Sequence, residues 1–541
     1  MPTQNITFTE WTPDQPSIVT NLSKAEGVYA NAVGYAPFPS AVDYSQAATE
    51  SLNNVFSARF KQTNTTFAGG ATKLFRLDGS DYSLDDVSRT PTAYTNIVRW
   101  NFVQFGETVL ASNDKDKLQY YTIGVSSRFA DASASAPVSK FVAIVRDFVV
   151  CANLNSGDDS SSVQWSDIND FSDWAVGGAS QSDTQIIPDG GNITGISGGE
   201  FGLIFLQKSI VRMSYIGSPY FFQFDTISRN LGCLEGNSVT QYAGTTYFLA
   251  EDGFYTCNGQ TIEAIGNEKI DRFFFKNADL SALSTMSATV DQFRKLVIWN
   301  YKDIFSDRKL LIYNWLTKKW TTCSTTADYV ASIVSTGFTL EGLDAPYEIN
   351  ASAMVAGKQY TISNLGTSVN WTSIGASDAV VGAKFTRNST ALSGTGGKVI
   401  NLEAATAAGY TLNTMTTSLD SALYTGGKFL LGGTYGNKIV TFTSATPAPA
   451  QIDTGYIGSQ YNSTVTLARP LIDNGSASVA ICSVNLLSEV KDFGAYTSSN
   501  NENRVPLRSN GKYHKLSIKP SGNNWSNAIG VDVEVTPQGT R

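Results

Sequence analysis

The chain alternates short apolar runs with polar turn residues along most of its length. Residues 202–212 and 245–255 are two such units, each an apolar run followed by a polar turn that reverses the chain. The pattern recurs at 108–111, 148–151 and 296–299, while long amphipathic helical patterns are missing. Short strands divided by turns are typical of an all-β sandwich, barrel or propeller.

The spacing of these units favours the propeller. From Val109 through Val149, Ile204 and Phe248 to Val297, the apolar runs recur every roughly 40 to 55 residues, near the period of propeller blades. A four-stranded blade cannot bury both of its faces alone, so blades pack around a ring and share their core. We therefore predict an all-β fold, a β-propeller of about six blades.

Changes in composition along the chain predict the domain organisation. We expect an N-terminal arm at 1–50, propeller blades at 51–349 and the closing blade at 404–484. The segment 350–403 is rich in Ala, Gly, Ser and Thr and predicts an inserted small β module. Strict apolar/polar alternation near the end predicts a C-terminal β segment at 485–541.

Composition and charge exclude several classes of function. Charged residues make up only 16% of the 541 residues, the net charge is −8, and no long basic block could neutralise phosphates, so tight nucleic-acid binding is not expected. No apolar run approaches the roughly 20 residues of a membrane span. The cysteines stand singly, which predicts free buried thiols rather than a zinc site or disulfide framework. They are Cys151, Cys233, Cys257, Cys323 and Cys482.

Candidate chemistry is sparse. His514 is the single histidine, which leaves no second candidate for a multi-histidine metal site, and we expect it at a surface or interface. The loop 78–86 is acidic but lacks the spacing of an EF-hand. Several aspartates are interpreted as turn residues rather than paired glycosidase acids. They are Asp158, Asp159, Asp167, Asp170 and Asp173. We predict no catalytic, cofactor-binding or metal-binding residue and no enzymatic activity.

Three stretches in order along nearly the whole chain resemble tail proteins of short-tailed bacteriophages (podoviruses), the propeller-type tail hub or nozzle family. They are 8–16 with 31–39, then 163–174 with 187–205, and finally 511–516 with 525–537. The segment 357–385 also resembles a small β module found in structural proteins of marine and cyanobacterial phages. The insert is a departure from the hub family.

The resemblance implies a structural role in the virion tail. It implies a homo-oligomeric, hexameric ring below the portal and adaptor proteins, which closes the DNA channel and opens for genome ejection. Tail fibres are a further expected partner, genomic DNA would pass without tight binding, and assembly would occur in the bacterial host cytoplasm. The net negative charge agrees in sign with a wall that repels phosphates.

The arm supplies the only predicted interface residues. Its prolines interrupt regular structure, and its aromatic side chains are of the kind enriched at protein interfaces. We expect these side chains to join the subunit to its neighbours. They are Trp11, Tyr29, Tyr35 and Phe38.

Two other functions compete with the tail role. A propeller-type protein that binds or cleaves host glycans would use the same fold with aromatic platforms or paired carboxylates. A cellular propeller scaffold is the third possibility, although the terminal motifs resemble phage sequences instead.

Overall fold

The computed structural model describes residues 3–16, 21–61, 63–79, 82–177, 180–335, 348–401 and 427–538. Within them, seven four-stranded antiparallel blades follow one another along the chain. Blade 1 is Leu52–Phe60, Thr63–Gly70, Leu74–Leu77 and Leu84–Asp86; blade 2 is Asn101–Phe105, Thr108–Ser112, Gln119–Thr122 and Ala130–Asp131; blade 3 is Ser139–Val145, Phe148–Leu154, Asp159–Trp165 and Asp183–Ile186. Blade 4 is Ile193–Ser197, Gly202–Leu206, Ile210–Gly217 and Phe221–Ser228; blade 5 is Thr240–Tyr242, Thr245–Leu249, Phe254–Cys257 and Ile262–Ala264.

Blades 6 and 7 complete the ring. Blade 6 is Ser287–Asp291, Leu296–Lys302, Arg308–Asn314 and Lys319–Ser324; blade 7 is Tyr329–Val334, Phe429–Tyr435, Lys438–Thr441 and, from the arm, Val42–Asp43. Blade 7 therefore takes its outermost strand from the opposite end of the chain. The short helix α1 (Asp271–Asn277) lies between blades 5 and 6. Short 3₁₀ segments occur at Asn155–Gly157, Gly236–Ser238, Leu280–Thr285 and Ala351–Ala353.

Apolar side chains fill the space between successive blades. Val55 and Ala68 of blade 1 pack with Ile333 and Ile439 of blade 7, so the last blade contacts the first and the ring is closed. Trp100, which packs between blades 1 and 2, is buried and donates its Nε1–H to the Gly70 carbonyl at 2.9 Å. Each blade thus shares its core with two neighbours, which is how a propeller buries sheets that could not fold singly.

A second sheet lies against the propeller and joins the two ends of the chain. Its strands from the arm are Thr3–Thr7, Lys24–Glu26, Val28–Ala30 and Tyr35–Pro37; those from the C-terminal part are Gln451–Asp453, Ile457–Ile472, Ser476–Val484, Thr497–Ser498, Val505–Ser521 and Ala528–Pro537. Lys24–Glu26 pairs with both Gln451–Asp453 and the outermost strand of blade 6. The sheet is consequently continuous with blade 6.

The inserted module has a core of its own. Its strands are Glu348–Asn350, Gln359–Asn364, Lys384–Thr386 and Lys398–Asn401, and Tyr360, Trp371, Phe385 and Val399 are buried among themselves. It is inserted between the first and second strands of blade 7. The first strand of each blade lines the central opening, and the insert follows the first strand of blade 7. We therefore call residues 348–401 the rim insert.

The predicted all-β propeller is confirmed. The structure has seven blades instead of about six. The insert divides the strands of blade 7 and the arm supplies its last strand, so the sequence pattern does not show this blade as a unit. The segment 404–484 is predicted to close the propeller, but it contributes only Phe429–Tyr435 and Lys438–Thr441 to blade 7. Its strands Ile457–Ile472 and Ser476–Val484 belong to the second sheet. Residues 404–426 lie outside the described residues. The five cysteines are free and buried as predicted.

Candidate functional site

Three of the four arm aromatics lie in the interior of their own chain. Trp11 donates its Nε1–H to the Ser23 carbonyl at 3.2 Å, and Tyr35 donates its hydroxyl to the Thr9 carbonyl at 2.6 Å. Phe38 is buried between blades 6 and 7, and only Tyr29 is half-buried. The prediction that these residues anchor a neighbouring subunit is corrected for Trp11, Tyr35 and Phe38. Their apolar area is used to join the arm to the second sheet and the propeller.

His514 is buried in the second sheet and not at a surface, which corrects the prediction from the sequence. Its Nε2 lies 2.8 Å from Ser463 Oγ and its Nδ1 lies 2.7 Å from Ser483 Oγ, which in turn accepts a hydrogen bond from Ser509 Oγ. Burial lowers the pKa of His514. Two serine hydroxyls satisfy a neutral imidazole, and among the described residues no carboxylate bonds to the ring, so the arrangement serves packing.

The aspartates of blade 3 have the turn roles that the sequence predicts. Asp167 accepts from the Gln181 N–H, Asp170 from the Ser172 N–H and Asp173 from the Ala175 N–H. Asp159 accepts from the Asn155 side-chain amide, and Asp158 donates its N–H to the Asn155 carbonyl at 3.2 Å. None of these bonds pairs two carboxylates.

Metal and membrane features are sparse in the part of the chain that the structure describes. No described group of three or more His, Cys, Asp or Glu side chains is placed to hold a metal ion. In the loop 78–86, Ser80 and Asp81 lie outside the described residues. No helix among the described residues is long and apolar enough to cross a membrane.

One carboxyl group stands apart from the others. Asp271, at the start of α1, is buried and accepts the Phe254 N–H at 3.1 Å. Burial, with the negative charges of Asp14 and Asp252, raises the pKa of Asp271 to about 7. Asp14 itself accepts the N–H groups of Arg272 and Phe273. Asp14 therefore joins the arm to α1, the helix between blades 5 and 6.

Large apolar side chains are exposed on the turns of both propeller faces, and one face carries five of them on turns within its blades. We call this the hairpin face; it carries the turns between the first and second strands and between the third and fourth strands of each blade. Five turn residues on it have most of their surface exposed. They are Val125 (80%), Val176 (57%), Tyr220 (76%), Phe293 (87%) and Leu316 (69%). They come from blades 2, 3, 4 and 6, so the apolar character extends over much of the face.

The hairpin face also has a cleft and the rim insert. A cleft of about 540 Å³ lies among turns of blades 4, 5 and 6, next to Phe293, and is lined by Phe201, Gln241, Tyr242 and Gln292 among others. The rim insert leaves the ring from the first turn of blade 7, on this same face. Exposed side chains, the cleft and the base of the insert therefore lie on the same face.

The sequence predictions missed this surface. In the sequence, Val125 follows Gly124 and Phe293 stands between Gln292 and Arg294, so each is an apolar residue inside a polar turn. Such a residue contributes little to the stability of its own fold, because its side chain buries little apolar area at a solvated turn tip. This feature becomes visible only once the strand bounds are known.

The opposite face carries the blade-to-blade connections, and we call it the linker face. Arg99 precedes the first strand of blade 2, yet it donates Nη1–H to the Met286 carbonyl at 2.8 Å and its guanidinium lies 5.0 Å from the Tyr329 ring centre. Met286 directly precedes the first strand of blade 6, and Tyr329 begins the first strand of blade 7. Because blade 1 separates blade 7 from blade 2, the Arg99 side chain crosses the central opening at this end.

Comparisons with known proteins add the following. No family model and no curated protein matches the chain. Among solved structures, one chain of "Crystal Structure of Mitotic Checkpoint Complex" is 10% identical at a TM-score of 0.35, covering 53% of this chain and 89% of its own. The β-propeller domain of Cps50 (Swd1) from Myceliophteria thermophila is 10% identical at a TM-score of 0.36, covering 55% of this chain and 96% of its own. The propeller assignment rests on the strand order of the seven blades.

Proposed function

We propose that this chain is a non-enzymatic structural subunit of the tail of a short-tailed bacteriophage. Copies of it assemble into a closed hexameric ring, a hub or nozzle below the portal and adaptor proteins, which closes the DNA channel until genome ejection. The motifs that resemble the tail hub family motivate the proposal. The hairpin face is the observation that carries it, because exposed apolar turns on a rigid propeller suit protein contacts better than catalysis.

The pairing of strands from the N-terminal and C-terminal parts of the described chain supports a building-block role. Val42–Asp43 completes blade 7, and Thr3–Thr7 pairs with Ala528–Pro537 of the second sheet. Main-chain hydrogen bonds thus hold Thr3–Thr7 against Ala528–Pro537, an arrangement suited to mechanical load. A subunit of a DNA-ejecting machine needs that property.

The DNA path in this proposal runs between subunits. Arg99 crosses the central opening of the propeller at the linker face, so a duplex cannot thread a single subunit. The conduit is therefore the axis of the assembled ring, around which the propellers stand.

Removal of the exposed apolar side chains tests the role of the hairpin face. The double variant Phe293→Ser with Leu316→Ser should raise the protein concentration needed for ring assembly at least tenfold. Truncating an interface anchor often costs about 2 kcal/mol or more of binding free energy. Phe305→Ser is the matched control, because Phe305 is 79% exposed on the linker face. Sedimentation velocity measures both. Rings that persist unchanged in the double variant would contradict the assigned surface.

The glycan-binding or glycan-cleaving alternative has less support. The blade 3 aspartates bond to backbone or amide groups of their own turns, as described above. Binding of capsular or lipopolysaccharide sugars to the purified protein, lost on a single carboxylate substitution, would favour that alternative over the tail role.

A further inference from the structure

Two arginines from different blades meet at the linker-face end of the central opening. Arg99 donates to the Met286 carbonyl at 2.8 Å, and Arg308 of blade 6 donates Nη1–H to the adjacent Thr285 carbonyl at 3.2 Å. The two guanidinium groups therefore bond to neighbouring carbonyls of one segment. Two positive charges are thus held close together at this end of the opening.

Both guanidinium groups are incompletely satisfied. The Nε atoms of Arg99 and Arg308 are each buried without a hydrogen-bond partner. Arg308 has an ion pair with Asp328, at 3.8 Å from Nε to Oδ1. Among the described residues, the Arg99 guanidinium contacts a carbonyl and an aromatic ring, and neither carries a formal negative charge.

Two acidic groups, Glu235 and Asp328, partly offset these charges and also accept other hydrogen bonds. Glu235 accepts from the backbone N–H and side-chain amide of Asn237 at 3.2 and 2.8 Å. Asp328 accepts the Gly436 N–H at 3.0 Å. Burial lowers the pKa of Arg99, and burial lowers that of Arg308 as well, with the Arg99 charge adding to the effect and Asp328 opposing it.

A buried positive charge is costly unless it is paired and fully hydrogen-bonded, and both arginines leave a buried Nε without a hydrogen-bond partner. Guanidinium groups present planar forks of N–H donors that match the oxygens of a tetrahedral oxyanion. We propose that Arg99 and Arg308 bind a small oxyanion of the phosphate or sulfate type at the linker-face end of the propeller opening. This site is separate from the hairpin face and does not depend on the tail role.

Binding is tested on the full chain with inorganic phosphate as the probe. At constant ionic strength, exchanging chloride for phosphate should raise the melting temperature saturably, by about 2 °C or more at tenfold excess over the dissociation constant. Sulfate should act similarly and acetate more weakly. Calorimetric titration should give one phosphate per chain. A wild-type chain that binds no phosphate would overturn the proposal, whatever the variants do.

The variants locate the site. Arg99→Met should abolish the phosphate-dependent rise, and Arg308→Lys should weaken binding at least tenfold while retaining the charge, because a lysine cannot provide the fork. Arg229→Met is the matched control, since Arg229 is exposed at the outer edge of blade 4, and it should respond like wild type. An equal rise in Arg99→Met, or equal stabilisation by acetate, would contradict the assignment.

Discussion

At the scale of single residues, the structure contains two titratable groups whose contributions to stability depend on pH in opposite directions. Burial lowers the pKa of His514 between two serines, whereas burial and two neighbouring carboxylates raise that of Asp271 to about 7. Neither environment could be predicted from the sequence. His514 stands between Tyr513 and Lys515, which favours a surface strand, and its serine partners lie 51 and 31 residues away.

The His514→Gln variant should reduce the loss of stability in acid. The unfolded imidazole titrates near 6.5 and binds protons more readily than the folded one, so the wild-type chain loses free energy of unfolding as the pH falls below that value. Between pH 7.5 and 5.5 the variant should lose less unfolding free energy than the wild-type chain. The difference between the two proteins should be no more than about 1 kcal/mol. Urea unfolding at both pH values measures this. An identical pH dependence in the two proteins would exclude the proposed neutral imidazole.

Asp271→Asn should stabilise the chain at alkaline pH. A raised carboxyl pKa means that the folded state holds the proton more tightly, so stability falls as the pH rises from about 4 to about 7. The amide keeps the acceptor for the Phe254 N–H and removes the buried charge, with an expected gain of about 1–2 kcal/mol at pH 8. The gain should shrink at pH 5.5. Asp225→Asn, at an exposed position of blade 4, is the control and should show no such pattern.

At the scale of elements, the arm is part of the core. Its strands pair with blade 6, blade 7 and the C-terminal strands. The predicted interface role of Trp11 and Tyr35 is wrong, because aromatic residues are enriched both in cores and at interfaces and the pattern alone could not decide between them. The partner strands lie hundreds of residues away, beyond the reach of local periodicity.

Truncation of the arm aromatics should therefore destabilise the monomer. Trp11→Ala and Tyr35→Ala each remove a fully packed ring and should cost about 3–5 kcal/mol. Tyr29→Ala is the matched control, because Tyr29 is half-buried on the same arm, and it should cost clearly less. Thermal unfolding followed by circular dichroism measures all three. Wild-type melting temperatures with weakened assembly would restore the original interface role.

The rim insert should be removable. Ser335 and Gly427 already bond across its base, with the Gly427 N–H donating to the Ser335 carbonyl at 2.8 Å. Replacing 336–426 with a short Gly/Ser turn should keep a single cooperative transition within a few degrees of the full chain. Residues 348–401 expressed alone should fold, because their core is internal. Loss of cooperativity in the deletion variant would show that the propeller depends on the insert.

At the scale of the whole molecule, the sequence predicted the architecture better than its connections. The recurring apolar runs around Val149, Phe248 and Val297 lie in the second strands of blades 3, 5 and 6, so the period located real blades. The strands Ile457–Ile472 and Ser476–Val484 alternate like blade strands, and only their partners reveal the second sheet. Alternation reports a half-buried strand without saying which sheet contains it.

The central claim is that copies of this chain form a closed ring. Mass photometry and sedimentation equilibrium of the purified full chain, from nanomolar to tens of micromolar, test it most directly. We predict a concentration-dependent species near six times the 58.2 kDa chain mass, with no open-ended series of larger particles, because a closed cyclic interface saturates. A single 58.2 kDa species over the whole range, or an unlimited ladder of masses, would contradict the ring.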